Sequence, residues 1–253
     1  MEKTEKKRYK FGLVGKNISY SFSRGYFTEK FKKLNLPTHT YENFDFQNIE
    51  EFKMLMEDKE VIGVNVTIPY KQEVIPYLTE VHPKAKKIGA VNTIKFSKNG
   101  IIGYNTDAYG FRESLRPYIQ PHHKKALILG TGGASKAVAF VLEELNIAYS
   151  YVSRTPKATQ LTYADIDHGL IKEHTVIINC TPLGTHPNVT NKPDIAYDAI
   201  GKEHLLYDLI YNPAKTAFLL EGESRGAAIC NGLRMLELQA EKAWEVWTSP
   251  LKN

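Results

Sequence analysis

The stretch VIGVNVTIPYK, residues 61–71, organises the first half of the chain. Its apolar start predicts a buried strand over Val61–Thr67. Pro69 is expected to end that strand, because proline has no N–H for a sheet ladder and suits the first turn of a helix. Polar side chains would then lie at the carboxyl end of a strand, where ligands usually meet open α/β sheets. These side chains are Asn65, Thr67 and Lys71.

The segments around this strand predict a β-α-β-α-β order and a mostly parallel sheet. Apolar runs indicate earlier strands at Tyr9–Gly15 and Tyr41–Phe44, each followed by a helical pattern. After Lys71 the pattern is helical as far as about Ile88, with a break near Pro83, and a hairpin with its turn at residues 97–100 follows. The first half is therefore expected to form one α/β domain.

A second α/β domain is predicted beyond the polar segment at residues 117–125, which we interpret as an interdomain connection. Ala126–Leu129 reads as a buried strand, and an amphipathic helix follows the glycine-rich turn GTGGAS at residues 130–135. Strand, glycine turn and helix in this order are typical of a dinucleotide-binding Rossmann domain, with Ser135 in place of the third glycine. The glycines let backbone approach a pyrophosphate that faces the helix N-terminus.

The sequence after the next strand favours NADP over NAD. An NAD site usually offers an aspartate or glutamate there, to accept a hydrogen bond from the ribose 2′-hydroxyl. This chain has Ser153, Arg154 and Thr155, with Lys157 close behind. A guanidinium binds a 2′-phosphate that a carboxylate would repel. The alternative, a solvated arginine on a turn, stays open from these residues alone.

The composition is that of a soluble globular protein of one large or two modest domains. The 253 residues are 42% apolar and 24% charged, and the formal net charge is only +5. There is no membrane-length apolar stretch, and Met1–Lys10 has no apolar signal-peptide core. We therefore expect a cytoplasmic protein that binds neither nucleic acid nor membrane. The spacing of the cysteines and histidines indicates no metal site.

Several polar residues allow two interpretations. Ser23 is explained either as the N-cap of a helix or, with Ser21, as a group that holds a carboxylate at the helix N-terminus. Thr106 or Asp107 caps the next helix, or Asp107 instead supplies a carboxylate beside Asn92 and Lys71. A lysine in a turn is also an ordinary surface feature. Gln239 either packs between helices or contacts a ligand.

Seven motifs in a fixed order, spread over about residues 11–247, resemble those of shikimate dehydrogenases. Together they are far more specific than any one of them. They are Ser21-Phe22-Ser23, Asn65 to Lys71, Gly89-Ala90-Val91-Asn92-Thr93, Asn105-Thr106-Asp107, Gly130 to Ser135, Asn179-Cys180-Thr181-Pro182-Leu183-Gly184, and Gly232 with Gln239.

The resemblance implies reversible, NADPH-dependent reduction of 3-dehydroshikimate to shikimate in aromatic amino acid biosynthesis. It implies an N-terminal substrate-binding domain, residues 1–106, completed by residues 231–253. Residues 107–230 would form the Rossmann-type NADP-binding domain. The active site would lie in the cleft between the two domains, in a monomer or a homodimer.

The resemblance also assigns roles to individual residues. Lys71 and Asp107 match the catalytic pair, and the sequence leaves open which of them delivers the proton. The substrate-binding residues would be Ser21, Ser23, Asn65, Thr67, Asn92, Tyr211 and Gln239. The cofactor-binding residues would be Gly130, Gly132, Gly133, Ala134, Ser135, Ser153, Arg154, Thr155, Thr181 and Gly232.

The chain departs from the family pattern at Ser153, where asparagine is common, and at Ala158, where a basic residue is common. NADP preference is therefore expected to be weaker or differently built. Arg234 replaces a small residue, and we expect it to face solvent. Three rival functions are a quinate/shikimate dehydrogenase that uses NAD, a non-catalytic ligand sensor, and a methylene-tetrahydrofolate dehydrogenase. Arg154 argues against the NAD-dependent enzyme. The presence of both Lys71 and Asp107 argues against a non-catalytic sensor, and the paired serines argue against a methylene-tetrahydrofolate dehydrogenase.

Overall fold

The computed structural model describes residues 7–19, 21–157 and 159–250. The backbone forms two compact units: unit 1 comprises residues 1–106 and 240–253, and unit 2 comprises residues 107–239. The second boundary falls inside the last helix, whereas the sequence analysis begins the C-terminal part at residue 231. The assignment of substrate to one part and NADP to the other stays a prediction at this point.

Unit 1 is built on a six-stranded sheet. Its elements, in chain order, are β1 (Tyr9–Gly15), α1 (Phe22–Lys33), β2 (His39–Asp45), α2 (Lys53–Glu57), β3 (Val61–Val66), β4 (Glu80–Val81), α3 (Pro83–Ile88), β5 (Thr93–Ser97) and β6 (Gly100–Tyr104). The strand order is β2-β1-β3-β5-β6-β4. Three neighbouring pairs run parallel, and β5 runs antiparallel to both of its neighbours.

The sheet of unit 1 is covered on both faces, which is why its central strands are almost continuously apolar. One apolar cluster includes Val14, Phe52 and Val64. The other includes Phe11, Phe27 and Trp247 and brings α1 together with the last helix, α8 (Leu233–Thr248). The carboxyl ends of β1 and β3 therefore emerge between two packed layers.

The end of α8 is fixed to the sheet of unit 1 by two side chains. Trp247 packs directly against Gly63 and donates its indole N–H to the Ile94 carbonyl oxygen at 2.9 Å. The buried Lys95 donates its ammonium protons to the carbonyl oxygens of Val246, at 3.0 Å, and Ser249. Burial lowers the pKa of Lys95, and the helix C-terminus supplies the negative dipole end that stabilises its charge.

Unit 2 is a Rossmann-type domain. Its elements are α4 (Asp107–Leu115), β7 (Lys125–Leu129), α5 (Gly133–Glu144), β8 (Ala148–Val152), α6 (His168–Glu173), β9 (Val176–Asn179), β10 (Leu205–Asp208), α7 (Ala217–Ser224), β11 (Ala228–Cys230) and the first turns of α8. The five strands are all parallel, in the order β11-β10-β9-β7-β8. The direction of winding reverses between β7 and β9, so a ligand crevice is expected beyond their carboxyl ends.

The first turns of α8 belong to unit 2 because they pack directly on α4. A Cβ atom added to Gly110 would press on the Met235 carbonyl oxygen and on Gln239, so the two helix backbones touch there. Only glycine permits such an approach. One continuous helix thus contributes its first half to one unit and its second half to the other.

The helix predicted between Lys71 and the break near Pro83 is wrong, whereas the helical pattern after the break is confirmed as α3 (Pro83–Ile88). The segment before Pro83 contains turns, a short 3-10 helix at Ile75–Tyr77 and the two-residue strand β4. Pro76 explains the difference, because proline removes a backbone donor that a continuous helix needs. The predicted strand over Val61–Thr67 is confirmed but ends one residue earlier, at Val66.

Among the described residues, no helix combines the length and the apolar character that crossing a membrane requires.

The contact between Gly63 and Trp247 gives a stability prediction. Replacing Gly63 with alanine places a methyl group inside the indole ring, and overpacking of this kind costs about 1–3 kcal/mol of unfolding free energy. Urea denaturation followed by circular dichroism measures the loss. Gly25→Ala is the control: it lies in α1 with open space around it, and the substitution should stabilise by up to about 1 kcal/mol. Equal effects of the two substitutions would contradict the prediction.

Candidate functional site

A buried hydrogen-bonded network lies across the sheet of unit 1, with Asn65 of β3 at its centre. The Tyr41 hydroxyl donates to Asn65 Oδ1 at 2.9 Å. Asn65 Nδ2 donates to the Asn92 carbonyl oxygen at 3.3 Å and to Thr93 Oγ1 at 3.2 Å. All four residues are buried, and each buried polar atom with a partner avoids a desolvation penalty of about 1–3 kcal/mol. The network therefore fixes the Asn65 amide in one orientation.

The same network holds the residue before Asp107. The Thr106 backbone N–H donates to Asn92 Oδ1 at 2.6 Å, and Asn92 Nδ2 donates to Thr106 Oγ1 at 3.1 Å. Thr106 Oγ1 also lies 3.0 Å from Thr93 Oγ1. Asp107, which is buried, follows directly as the first residue of α4. Asn92 thus determines where the chain leaves unit 1.

Sequence reasoning placed Asn65 and Asn92 at the site but missed Tyr41, Thr93 and Thr106 as members of their network. The two threonines could have been found, because each stands directly beside a predicted site residue. Tyr41 could not, because in the sequence it is only one more aromatic residue of a strand. Its hydrogen bond depends on the pairing of β1 with both β2 and β3.

Backbone hydrogen bonds bring the main chain at Lys71 close to Asn92. The Val91 N–H donates to the Lys71 carbonyl oxygen at 2.7 Å, and the Val66 N–H donates to the Asn92 carbonyl oxygen at 2.8 Å. The Thr67 N–H donates to the Val14 carbonyl oxygen at 2.9 Å, which fixes the end of β3 beside that of β1. Lys71 itself is half-buried. Asn65, Thr67, Lys71 and Asn92 therefore belong to one edge of the sheet, as predicted from their positions.

The paired serines lie at the N-terminus of α1. Ser21, not Ser23, is the N-cap: its Oγ accepts from the Ser23 N–H at 3.2 Å. The predicted capping role of Ser23 is therefore wrong, because the helix begins at Phe22 and Ser23 is a buried residue of its first turn. No acidic side chain stands in that turn. The positive end of the helix dipole is thus available to an anion.

The glycine turn after β7 has the geometry that a pyrophosphate requires. Gly130 has φ +101°, a backbone conformation that favours glycine. Gly132 is the N-cap of α5 without a side-chain cap, and a Cβ atom added there would project into open space. The buried Ser135 donates its hydroxyl to the Gly132 carbonyl oxygen at 2.7 Å, so it tightens the turn from inside. The turn containing Gly133 and Ala134 fits a dinucleotide phosphate.

A second buried network supports the turn after β9, on the other side of the reversal in strand order. Thr181 Oγ1 donates to Asn179 Oδ1 at 2.6 Å, and Asn179 Nδ2 donates to Asp208 Oδ1 at 3.1 Å. Thr216 Oγ1 donates to Asp208 Oδ2 at 2.6 Å. Thr181 was predicted at the cofactor site, whereas Asn179 and Asp208 were not assigned a role. Their side chains link β9, β10 and the start of α7.

Asp208 is a fully buried carboxyl group, and no lysine, arginine or histidine of the described residues forms an ion pair with it. Burial raises the pKa of Asp208 to about 6, although hydrogen bonds from Thr216, the Ile210 N–H and Asn179 offset part of the rise. The carboxyl group is therefore expected to titrate near neutral pH.

The loop after β8 is a closed basic loop. Its base is held by hydrogen bonds from the Ser153 N–H to the Leu161 carbonyl oxygen and from the Leu161 N–H to the Tyr151 carbonyl oxygen, both 2.8 Å. Ser153 Oγ accepts from the Thr155 N–H at 3.2 Å. Arg154 is exposed, and no carboxylate of the described residues pairs with it. Ala158 lies outside the described residues. The loop thus presents a positive charge at the carboxyl end of β8.

Two further predicted residues of unit 2, Tyr211 and Gly232, lie near the carboxyl end of β10. The Gly232 N–H donates to the Ile210 carbonyl oxygen at 3.0 Å, and a Cβ atom at Gly232 would overlap the Leu209 carbonyl group. Packing of backbone on backbone therefore requires glycine there. Tyr211 is half-buried, and Gln239 is buried beside Gly110. Arg234 is exposed, as predicted, and pairs with Glu237 at 3.1 Å.

The two cysteines are free, Cys230 being buried and Cys180 half-buried. Burial raises the pKa of both thiols, that of Cys230 to about 11, so neither forms a reactive thiolate at neutral pH. Within the described residues, no group of three His, Cys, Asp or Glu side chains is placed to hold a metal ion.

Comparison with known proteins identifies the family. A sequence model described as the shikimate dehydrogenase substrate binding domain matches residues 13–94. The shikimate dehydrogenase (NADP(+)) of Clostridium botulinum is 38% identical over 250 residues, which covers 94% of this chain and 96% of that protein. The chain belongs to the shikimate dehydrogenase family. The protein of the same name from Methanococcus aeolicus is 36% identical over 255 residues and covers 94% of this chain and 91% of its own length.

Solved structures of shikimate dehydrogenases share the fold. That of shikimate dehydrogenase 1 from Peptoclostridium difficile is 38% identical, covers 97% of this chain and 94% of its own, and has a TM-score of 0.81. Shikimate 5-dehydrogenase from Thermus thermophilus, solved with NADP(H) and shikimate, is 30% identical, covers 97% and 95%, and has a TM-score of 0.84. The predicted family, two-domain α/β fold class, enzyme class and NADP cofactor are thereby confirmed.

The buried Asp208 gives a prediction for the pH dependence of stability. The pKa of the carboxyl group is 3.8 ordinarily and about 6 in the native state, so the native state holds the proton more tightly than the unfolded chain. The unfolding free energy should then fall by roughly 3 kcal/mol, at 1.36 kcal/mol per pKa unit, as the pH rises from about 4 to above 6. Asp208→Asn, which resembles the protonated acid, should not show this fall in unfolding free energy as the pH rises.

Urea denaturation at a series of pH values measures the effect as the difference in unfolding free energy between the two proteins. Thr216→Val is the matched variant: it removes a hydrogen bond that lowers the pKa of Asp208 and should move the change to higher pH. A difference between wild type and Asp208→Asn that stays constant with pH would refute the assignment.

Proposed function

We propose that this protein catalyses the reversible, NADPH-dependent reduction of 3-dehydroshikimate to shikimate. The observation that carries the proposal is the buried network of unit 1. It fixes the side chains of Asn65 and Asn92 and holds Thr106, the residue that precedes Asp107. A ring with several hydroxyl groups requires a site built from amides and hydroxyls, and this sheet edge supplies them. The chemistry of the residues thus agrees with the family to which the chain belongs.

On the substrate side, we assign the carboxylate to Ser21 and Ser23, with Tyr211 as a further hydroxyl donor. The N-terminus of α1 supports this assignment, because its dipole and N–H groups favour an anion. Asn65, Thr67, Asn92 and Gln239 are assigned to the ring hydroxyls.

We assign the proton transfer to Lys71 and Asp107. Reduction of a ketone develops negative charge on its oxygen, and that oxygen needs a proton from a group within hydrogen-bond reach. The Lys71 ammonium can donate this proton. The Asp107 carboxylate can hold the ammonium and, in the reverse direction, the substrate hydroxyl. The pair shares the task, because an acid for reduction must act as the base for oxidation.

On the cofactor side, Gly130, Gly132, Gly133, Ala134 and Ser135 fit the pyrophosphate. When bound, NADPH supplies the hydride for the reduction. The closed basic loop with Ser153, Arg154 and Thr155 is assigned to the adenosine 2′-phosphate, since a guanidinium is suited to a phosphate. Thr181 and Gly232 are assigned to the nicotinamide end of the cofactor.

The test is a spectrophotometric assay of the purified protein with shikimate or quinate, each with NADP or NAD. The proposal requires the highest kcat/KM for shikimate with NADP. Preference for quinate or for NAD would overturn the corresponding part of the proposal.

Lys71→Ala should retain NADPH binding and lose most turnover, because it removes a general acid worth typically 10²–10⁴-fold in rate. Fluorescence titration measures NADPH binding, and the shikimate assay measures kcat. Lys98→Ala, in the exposed turn between β5 and β6, is the matched control and should behave as wild type. Near-normal turnover of Lys71→Ala would defeat the catalytic assignment.

Arg154→Ala should raise the KM for NADP by roughly 10- to 100-fold, as expected for a lost charge-assisted hydrogen bond of about 1.5–3 kcal/mol. The KM for NAD, which has no 2′-phosphate, should change little. Arg116→Ala removes another exposed arginine of unit 2 and serves as the control. Equal changes for NADP and NAD would place Arg154 outside the cofactor site.

The cytoplasmic location and the monomeric or homodimeric state remain predictions. Cell fractionation and sedimentation analysis check them.

A further inference from the structure

Tyr41 is a buried tyrosine whose ring and hydroxyl have separate surroundings. The side chain lies in β2 and is 5% exposed. Its ring stacks on Phe27 of α1, with the centroids 4.7 Å apart and the planes 8° from parallel, and lies 6.5 Å from the Trp247 ring. The ring therefore belongs to the apolar cluster under α1 and α8. A phenylalanine would satisfy all of these contacts.

The Tyr41 hydroxyl instead connects two residues assigned to the substrate. It donates to Asn65 Oδ1 at 2.9 Å. Burial raises the pKa of Tyr41, and a hydrogen bond with the Ser23 side chain offsets part of the rise. One phenol group thus faces the first turn of α1, which is assigned to the carboxylate, and the end of β3, which is assigned to a ring hydroxyl.

The hydrogen bond from Tyr41 satisfies the acceptor end of the Asn65 amide. An amide offers an acceptor at one end and donors at the other. The Asn92 carbonyl oxygen can only accept, so it fixes Nδ2 on its own side together with Thr93 Oγ1. Tyr41 supplies a donor to Oδ1 at the opposite end. Thr93 Oγ1 in turn lies 3.2 Å from Asn92 Oδ1 and 3.0 Å from Thr106 Oγ1.

The Tyr41 hydroxyl therefore completes one end of the network. Without it, Asn65 Oδ1 would lose its donor and the side chain would be held only through Nδ2, so the position of the amide at the sheet edge would be less tightly fixed. Buried polar networks in which every group has a partner specify one arrangement, and partly satisfied networks do not.

We propose that Tyr41 is a positioning residue for the substrate site, which through Ser23 and Asn65 fixes the position of the groups offered to a polyhydroxylated carboxylate. This inference rests on the proposed function. Tyr41 is not assigned a contact with the reacting atoms. A purely structural role would instead come from the ring, and the two roles are separable because hydroxyl and ring have different partners.

Tyr41→Phe tests the proposal, because it retains the ring and removes only the hydroxyl. We expect kcat/KM for shikimate to fall about tenfold or more, which corresponds to one buried hydrogen bond left without its partner. The KM for NADP should stay within about twofold. The rise in melting temperature caused by shikimate alone, a measurement that needs no turnover, should shrink as well.

Tyr197→Phe is the matched control. Tyr197 is also a buried phenol in an aromatic contact, and it donates its hydroxyl to the Pro193 carbonyl oxygen at 2.7 Å in unit 2. Loss of the Tyr197 hydroxyl should lower the melting temperature about as much as Tyr41→Phe does and leave the kinetic constants for shikimate unchanged. If both variants change only stability, the hydroxyl of Tyr41 is structural and the proposal is overturned.

A double-mutant cycle with Asn65→Ala provides the second measurement. If Tyr41 acts through Asn65, the effects of the two substitutions on kcat/KM should be clearly less than additive. Additive effects would overturn the proposal even if Tyr41→Phe is impaired. Failure of the proposed function is distinguishable, because in that case the wild-type protein itself would not oxidise shikimate with NADP.

Discussion

The hydrogen bonds between Asn92 and Thr106 are the constraint on which unit 1 depends. β3 and β6 end close to the start of β5 there. The polar side chains of these segments are buried, so each needs a hydrogen-bond partner inside the protein. Asn92 supplies both a donor and an acceptor to Thr106, and the main chain then passes directly into Asp107 and α4. The same side chains that complete the sheet edge therefore define where one unit ends and the next begins.

Unit 2 solves a similar problem in a similar way. At the reversal of its strand order, the Asn179 side chain accepts a hydrogen bond from the Thr181 hydroxyl and donates one to the Asp208 carboxyl group. Thr216 and the Ile210 N–H complete the hydrogen bonds of the carboxyl group. An asparagine between two strand ends can serve a hydroxyl and a carboxyl group at once, because it has a donor and an acceptor. In each unit an asparagine side chain thus holds a residue that follows the end of a strand, Thr106 after β6 and Thr181 after β9.

Most of the architecture could be predicted from the sequence, because it rests on local patterns. The apolar run at 126–129, the glycine turn and the following helix are adjacent in the chain, and their order alone indicates the fold. The helix predicted between Lys71 and the break near Pro83 is wrong because apolar spacing was given more weight than Pro76. The site was predicted only as separate residues. Its hydrogen bonds join residues 14 to 28 positions apart, and such pairs depend on strand register. The choice of Ser21 over Ser23 as the cap depends on a one-residue boundary that no pattern defines.

The attachment of α8 to unit 1 makes the protein its own optical probe. The chain has two tryptophans, Trp244 and Trp247, and both lie on the part of α8 that belongs to unit 1. Trp247 is buried against Gly63, while unit 2 contains no indole at all. Tryptophan fluorescence excited at the red edge of protein absorption therefore reports on unit 1 and not on unit 2. Compared with far-ultraviolet dichroism, it reveals whether the two units unfold together or one after the other.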